Sequence, residues 1–536
     1  MPDWFTTVSA LVRARADDPL PGLVFEGRTW SWAEHTAEAA ARAAWYRESR
    51  LSRGAGGPPH IGVLLENVPE YSFWLAAAAL GRFVLVGLNA TRRGQQLAED
   101  IIGTSCDLVL TDRPELLAGL ELGAAVIVDP HIAYAPADLP ADNAQTDDLY
   151  LLIFTSGTMG SPKAVMCSQG KIGTLGLSMV ERVALSRDDV AYVSMPLFHS
   201  NAIIAGWSPS LAVGATIALK RRFSASQFVS DCRAVGATYA NYVGTPLSYV
   251  LAQPPRSDDG DNPVVRVFGN EGAPTDLARF AERFGCEVMD GFGSTEGGIS
   301  ITRTPDTPVG SLGRGVGDVR VLDSETGSEK TPAFFDSEGR LINADQAVGE
   351  LVNLDGPFSF EGYWNAPEDT AHRNRDGKYW SGDLGYRDGD GFLYFAGRSL
   401  DRLRVGGENF PAAPVAGLLT RHPEVVEAVV FAVPDATAGD QLMAAVVPAN
   451  GFDPTGFAQW VREQPDASPT WVPRYLKVSA DLPRTATGKV VVRELARDGW
   501  EGPDVWLRDG DIMRPFTGND RVALERAFAL SGRPLL

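Results

Sequence analysis

Four cysteines are spread thinly over 536 residues (Cys106, Cys167, Cys232 and Cys286), with no C-x-x-C pair among them. That excludes a disulfide framework and a dithiol redox motif, and reduced thiols are the expectation. Histidine is scarce too, and the six present lack the H-x-x-x-H type of spacing that a histidine-built zinc centre needs. A basic excess is missing: the formal charge is -20, which disfavours a nucleic-acid partner. An anionic substrate must then be drawn in by local cations rather than by the whole field. No apolar run is long enough to span a bilayer, since the stretch from Phe73 to Val86 is short and broken by Arg82. The opening Met1-Pro-Asp-Trp-Phe has no signal-peptide core. A cytoplasmic protein without a membrane anchor is expected. Nor does any Gly-Lys-Ser/Thr close a glycine-rich loop, which argues against an ordinary P-loop NTPase.

What is present suits a large soluble enzyme. Apolar residues make up 44% and charged ones 22%, enough for several cores, and the length suggests roughly three or four structural units. Short apolar runs alternate with helical stretches: strands at 60–65, 83–88, 107–112, 124–129 and 149–154, with helices at 69–80 and 93–102. This alternation predicts parallel, doubly wound α/β layers. The texture repeats from Val190 to Phe268. From Gly310 to Tyr394 it turns Gly-, Asp- and Pro-rich with short alternating runs, which predicts a small β-rich unit. A charged stretch, Arg398 to Arg404, precedes a compact α+β piece. No internal repeat is evident.

Five segments carry chemistry. Thr155-Ser156-Gly157-Thr158-Met159-Gly160-Ser161-Pro162-Lys163 follows the strand-like Leu149–Phe154. Glycines let backbone N–H groups turn inward, hydroxyls donate to phosphate oxygens, and Lys163 adds a mobile charge. Ligands in such folds bind where parallel strands end. Gly291-Phe-Gly-Ser-Thr-Glu-Gly-Gly298, read as a loop after the strand Glu287–Met289, offers the aromatic Phe292, the hydroxyls of Ser294 and Thr295, and the carboxylate of Glu296. A carboxylate beside phosphate-binding hydroxyls suits Mg²⁺. Tyr379-Trp-Ser-Gly-Asp383 is read as a tight turn presenting Asp383, which could accept from a ribose diol. Gly397 to Asn409 sets charges and the pair Gly406-Gly407 at the texture boundary, as a hinge would. Pro483-Arg-Thr-Ala-Thr-Gly-Lys489 delivers a lysine from a small-residue loop. Taken singly, each could be an ordinary surface turn, cap, linker or lysine.

In order and spacing these segments resemble the acyl-adenylate-forming superfamily over residues 20 to 490. The superfamily comprises acyl-CoA synthetases, peptide-synthetase adenylation domains and firefly-type luciferases. Pro196-Leu-Phe-His-Ser-Asn201, Phe223–Phe228, Ala237–Gly244 and Asp290–Glu296 look like an actinobacterial fatty-acid–CoA ligase subgroup associated with steroid side-chain carboxylates. The resemblance implies a large N-terminal AMP-binding domain of doubly wound sheets plus the β-rich subdomain (1–397), a hinge (398–402) and a mobile α+β lid (403–536). It implies ATP, Mg²⁺ and coenzyme A as reactants. Thr155, Ser156, Gly157, Thr158, Gly160 and Lys163 would hold the outer phosphates, Gly272, Ala273 and Pro274 the adenine, and Phe292 would flank the base. Asp383 and Arg398 would take the ribose. Thr295 would touch the α-phosphate, Glu296 the Mg²⁺, and Lys489 the attacking carboxylate. A carboxylate attacking a phosphate meets like-charge repulsion that such cations must offset. Gly406, Gly407 and Glu408 would meet coenzyme A after the lid turns.

His199 would border the acyl pocket, with Ile203, Ile204, Trp207, Tyr242 and Val243 as its apolar lining. No acid lies between Phe198 and Trp207 to pair with a substrate ammonium, which disfavours amino acids. The expected reaction joins a hydrophobic carboxylic acid, fatty or steroid-derived, to coenzyme A through an acyl-adenylate. Two alternatives stand beside it: transfer to a carrier-protein thiol, and a catalytically silent homologue. Met159, Ala164 and Leu400 depart from the family pattern. The sequence leaves open a homodimer. It also leaves open whether Trp500, Trp506 and Phe516 dock the tail after Val490 onto the lid or form an interface.

Overall fold

The computed structural model describes residues 6–49, 57–155, 163–244, 246–270, 272, 274–337, 341–398, 402–405, 408–436, 440–449, 451–464, 467, 469–485, 488 and 490–531. They divide into two compact units, one of residues 1–310 with 353–379 and the other of 311–352 with 380–536.

The first unit is built on parallel α/β sheets. One has the spatial order Val126–Val128, Leu108–Thr111, His60–Leu64, Val84–Gly87, Leu149–Thr155, Lys163–Ser168. Its first five strands are parallel and the last pair forms an antiparallel hairpin. His60–Leu64 is buried at every position, as a parallel sheet covered on both faces demands. The helix Pro69–Gly81, opened by a proline that needs no partner for its missing N–H, is apolar nearly all round and buried. It ends where Arg82 turns left-handed at φ 54°, and the apolar run continues as the strand Val84–Gly87. No helix among the described residues is long and apolar enough to cross a membrane.

In the second sheet, Glu287–Gly293, Arg266–Asn270, Tyr239–Val243, Val190–Val193, Thr216–Leu219 and Pro21–Phe25 run parallel in that spatial order. The chain leaves Val193 toward the Thr216 strand and leaves Val243 toward the Arg266 strand on the opposite side. The crevice between those two strand ends is a topological switch point, where open α/β sheets bind ligands.

In the second unit, Val319–Leu322, Gly349–Asn353, Lys378–Arg387 and Leu393–Arg398 form a β-rich layer. The seven-stranded C-terminal sheet is centred on Asp440–Pro448, which pairs with Val425–Pro434 on one side and Tyr475–Val478 on the other. The tail extends this sheet: Val505–Asp509 pairs with the Tyr475 strand and then with Ile512–Pro515. Trp500 is 2% exposed in a core with Leu495, Leu507 and Phe528, and Phe516 packs against it. Trp506 packs on the neighbouring core. The tail therefore docks onto its own unit.

Two local expectations are corrected. The strand after Phe284 does not stop at Met289 but runs through Gly293, because Gly291, Phe292 and Gly293 pair with Thr302, Ile301 and Ser300. Asp383 does not follow a turn. It lies inside the strand Lys378–Arg387, where Gly382 at φ 74° and a register shift after Leu384 absorb the kink that the glycine suggested.

Candidate active site

The loop of hydroxyls and glycines is framed by its ends. Thr155 and Lys163 pair across the hairpin, and the Thr155 hydroxyl donates to the Lys163 carbonyl at 3.4 Å. Ser156, Gly157, Thr158, Met159 and Gly160 lie outside the described residues. Lys163 forms an ion pair with Asp369 of the helix Pro367–Arg373. Its ammonium also lies 5.4 Å from the centre of the Tyr363 ring. Ala164 is a buried strand residue whose carbonyl accepts from Trp364 N–H at 2.8 Å.

The hairpin leads into the helix Gln169–Arg182. Its N-cap Ser168 accepts from Lys171 N–H, and Glu361 fixes that cap by accepting from Ser168 N–H at 2.6 Å and from its hydroxyl at 2.5 Å. The first helical turn therefore aims Lys171, 7% exposed, at the backbone of the second motif. Its ammonium donates to the carbonyls of Thr295 at 3.4 Å and Glu296 at 3.1 Å. The same segment is clamped by Ser359 Oγ on the Gly297 carbonyl at 2.8 Å and by Asn353 Nδ2 on Gly298 at 3.1 Å. Gly298 must lack a side chain, since a Cβ there would sit 2.3 Å from the Tyr379 ring.

Held in this way, Thr295 and Glu296 meet the switch point. Thr295 Oγ1 lies 2.8 Å from Ser200 Oγ, at the start of the helical turn that follows Val193. His199 is adjacent, with Asn201 N–H donating to its Nδ1 at 3.3 Å. Glu296 is buried, and its Oε1 accepts from Tyr363 OH at 2.9 Å. No other side chain among the described residues bonds that carboxylate, so Oε2 remains uncommitted. Burial and the neighbouring Glu296 raise the Tyr363 phenol above its ordinary value, so it stays a donor.

Gly272, expected beside adenine, is held by Asp290, whose Oδ2 accepts from Gly272 N–H at 3.0 Å and from Tyr242 OH at 2.6 Å. Burial, then Asp290, pushes the Tyr242 phenol up. Gly269 has no room for a Cβ against the Tyr242 ring, and one on Gly291 would fall 2.6 Å from Arg182 Nη2. Phe292 is half-buried in its strand. Pro274 opens the helix Pro274–Phe284, and Ala273 lies outside the described residues. Ile203 and Trp207 sit on a π-helical turn, Ala202–Trp207, a geometry frequent at functional sites. These two, with Tyr242 and Val243, are closed by packing, none more than 4% exposed. Ile204 is half-buried on the same turn.

Asp383 and Arg398 belong to the second unit, where their backbones face each other in register. Asp383 is buried, and Glu408 begins the strand Glu408–Pro411. Lys489, Gly406, Gly407 and Leu400 lie outside the described residues. Sequence reasoning gave no role to Lys171, Ser200, Asp290, Tyr363, Asp369 or Arg373. Ser200 and Asp290 stand inside the Pro196–Asn201 and Asp290–Glu296 segments. The other four are lone polar residues in segments without a motif, and only the fold brings them to the site.

A family model described as AMP-binding enzyme matches residues 12–364, and one for the AMP-binding enzyme C-terminal domain matches 415–489. The chain belongs to the AMP-binding enzyme family. Within it, the chain is 48% identical over 512 residues to a protein named medium/long-chain-fatty-acid–CoA ligase FadD17 from Mycobacterium marinum, covering 94% of this chain and 99% of the relative. It is 44% identical to a steroid-22-oyl-CoA synthetase from Rhodococcus jostii, covering 98% of each. Among solved structures, ATP-bound MatB from Rhodopseudomonas palustris shares the AMP-binding enzyme fold at a TM-score of 0.78 and 22% identity, covering 92% of this chain and 99% of that one. The second model ends at 489, so the docked tail lies beyond the family pattern.

Proposed function

We propose that this AMP-binding enzyme is an AMP-forming carboxylate–CoA ligase acting on a hydrophobic acid, an aliphatic acid of medium or long chain or a steroid side-chain acid. The observation that carries the reading is the Glu296 carboxylate, buried beside the Thr295 and Ser200 hydroxyls at the switch point, with one oxygen bonded and the other without a side-chain partner among the described residues. The 44–48% identity to ligases of both acid classes over nearly the full chain supports it.

The residues present fit Mg²⁺. Among the described residues no cluster of three or more His, Cys, Asp or Glu could form an all-protein cage, whereas Mg²⁺ keeps waters and shares phosphates with one or two carboxylates. Glu296 would hold it, and the cation would supply charge neutralisation on the phosphates.

The chain's own groups do the rest. Lys163 and the hydroxyls of its loop bind the outer phosphates, Thr295 orients the α-phosphate, and the Gly272–Pro274 turn, steadied by Asp290, receives the adenine. Asp383 and Arg398 take the ribose. Lys489 brings a positive charge to the carboxylate oxygen as it bonds to the α-phosphorus and pyrophosphate leaves. A turn about 398–402 then withdraws Lys489 and presents Gly406–Glu408 to coenzyme A, whose thiol displaces AMP from the mixed anhydride. The apolar wall around Ile203, Trp207, Tyr242 and Val243 receives the acyl tail, with His199 at its border. The cytoplasmic pools of ATP and coenzyme A make that compartment the natural setting.

The test is AMP formation across a panel of aliphatic and steroid acids, with and without coenzyme A. Release of AMP that requires both a hydrophobic acid and coenzyme A is expected. Acid-dependent ATP–pyrophosphate exchange with no acyl-CoA product would favour loading of a carrier-protein thiol. Absence of exchange with every acid would overturn the reading.

A further inference from the structure

Tyr363 stands between two charged groups. Its hydroxyl donates to Glu296 Oε1 at 2.9 Å and accepts from Arg373 Nε at 3.3 Å. The direction of this relay is fixed by chemistry, because a guanidinium only donates, a carboxylate only accepts and a phenol does both. The tyrosine itself has little freedom. It is 4% exposed, and its ring meets Phe360 edge-on at 5.0 Å. Its N–H donates to Thr370 Oγ1 at 2.9 Å, and it bridges to Val165 of the phosphate hairpin. Thr370 and Arg373 both come from the helix Pro367–Arg373, the helix whose Asp369 pairs with Lys163.

We infer that Tyr363 is a positioning residue for Glu296, held in turn by Arg373, and that the relay ties down Oε1 so that Oε2 is the oxygen offered to the divalent cation. This rests on Glu296 being the metal carboxylate. Partners that orient a ligand in this way typically govern metal affinity by 10–100-fold, so the effect belongs in metal binding, ahead of any effect on turnover.

The experiment uses the full chain, saturating ATP, no acid, and Mn²⁺ as the probe, with free Mn²⁺ read by electron paramagnetic resonance. Tyr363→Phe, which removes one hydroxyl, should weaken Mn²⁺ binding about 10-fold, and Arg373→Gln should shift it less in the same direction. ATP affinity measured in EDTA should be unchanged in both. Wild-type Mn²⁺ affinity in Tyr363→Phe, alongside weakened affinity in Glu296→Gln, would overturn the relay and leave Glu296 as the ligand. Equal losses of Mn²⁺ and metal-free ATP affinity would mark mere structural damage and also overturn it. Wild-type Mn²⁺ affinity in Glu296→Gln would remove the metal reading and the relay together. If Tyr363→Phe fails to fold, an unshifted Arg373→Gln overturns the relay by itself.

Discussion

Two buried carboxylates in the first unit make an instructive pair. Glu70, 7% exposed, has both oxygens bonded: Oε1 accepts from Arg42 Nε at 2.7 Å and Trp74 Nε1 at 2.9 Å, and Oε2 accepts from Arg42 Nη2 at 2.5 Å. Arg42 is further held by Glu38 and lies over the Phe73 and Tyr134 rings. Burial alone would lower the Arg42 pKa, but the two glutamates outweigh it and raise it. Glu296 is nearly as buried, at 8%, yet its nearby lysine spends its charge on backbone carbonyls, and among the described residues only a phenol bonds the carboxylate. A carboxylate whose two oxygens both hold strong N–H donors holds a fold together. One whose surroundings are fixed but whose second oxygen is idle is prepared for something that arrives later.

The two substitutions to glutamine should therefore separate. Glu296→Gln keeps an oxygen for Tyr363 but removes the charge, and kcat for adenylate formation should fall by about 10²–10³. Its urea unfolding free energy should stay within about 1 kcal/mol of wild type. Glu70→Gln should do the reverse. Breaking a buried ion pair costs roughly 3–5 kcal/mol, and the low end applies because Glu38 stays on Arg42. Turnover per folded molecule should not change. A Glu70 variant that lost activity at full stability would erase the distinction.

How far the sequence reveals each member of this pair is uneven. Glu296 was legible because its neighbours are Gly, Ser and Thr, residues with few structural uses when packed together in that order. The parallel layers were legible because strands buried on both faces read as continuous apolar runs. Glu70 was not, since Glu one position inside a helix reads as an ordinary first-turn acid and only packing shows that it is buried. The same holds for Tyr363 and Arg373, ten residues apart and joined by a helix that returns the chain to the hairpin. Asp383 was misplaced because Gly382 has a real left-handed φ, which alone cannot distinguish a turn from a kink within a strand.

The structural region also carries a pH signature. His35 packs between Trp32 and Phe73, with Nε2 2.8 Å from Ser72 Oγ, which in turn accepts from Trp207 Nε1 at 2.9 Å. Burial, then the Arg42 charge, lowers its pKa to about 3. A depressed folded pKa means stability that is present above the unfolded value near 6.5 and lost as pH falls toward 3, by up to about 1.4 kcal/mol per pH unit. Asp100 opposes this. Burial pushes it up to about 7 despite Arg92, so its contribution is present below roughly pH 4 and lost as pH rises through 7. The wild-type curve mixes both slopes. The difference between His35→Gln and wild type, from urea melts between pH 4.5 and 7.5, isolates the histidine. That difference should shrink as pH falls, and a pH-independent one would show that the imidazole titrates alike in the folded and unfolded chain.

The smallest effect tests the edge of the site. Ser200 Oγ meets Thr295 Oγ1 at 2.8 Å, and either hydroxyl can donate. If Thr295 is to give its proton to a phosphate oxygen, Ser200 must be the donor between them, and its loss leaves Thr295 free to rotate. A single hydrogen bond between neutral groups is worth about 0.5–1.5 kcal/mol, so Ser200→Ala should lower kcat/KM for ATP by roughly 3–10-fold. A purely structural bond of the Glu70 kind would lower the melting temperature instead. Ser200→Ala should leave melting near wild type, because the segment leading to the serine is clamped independently by Asn67, which donates to the Met195 carbonyl at 2.7 Å and accepts from Leu197 N–H at 2.8 Å. Loss of stability without loss of kcat/KM would assign the 2.8 Å contact to the scaffold and move the boundary of the site back to Thr295.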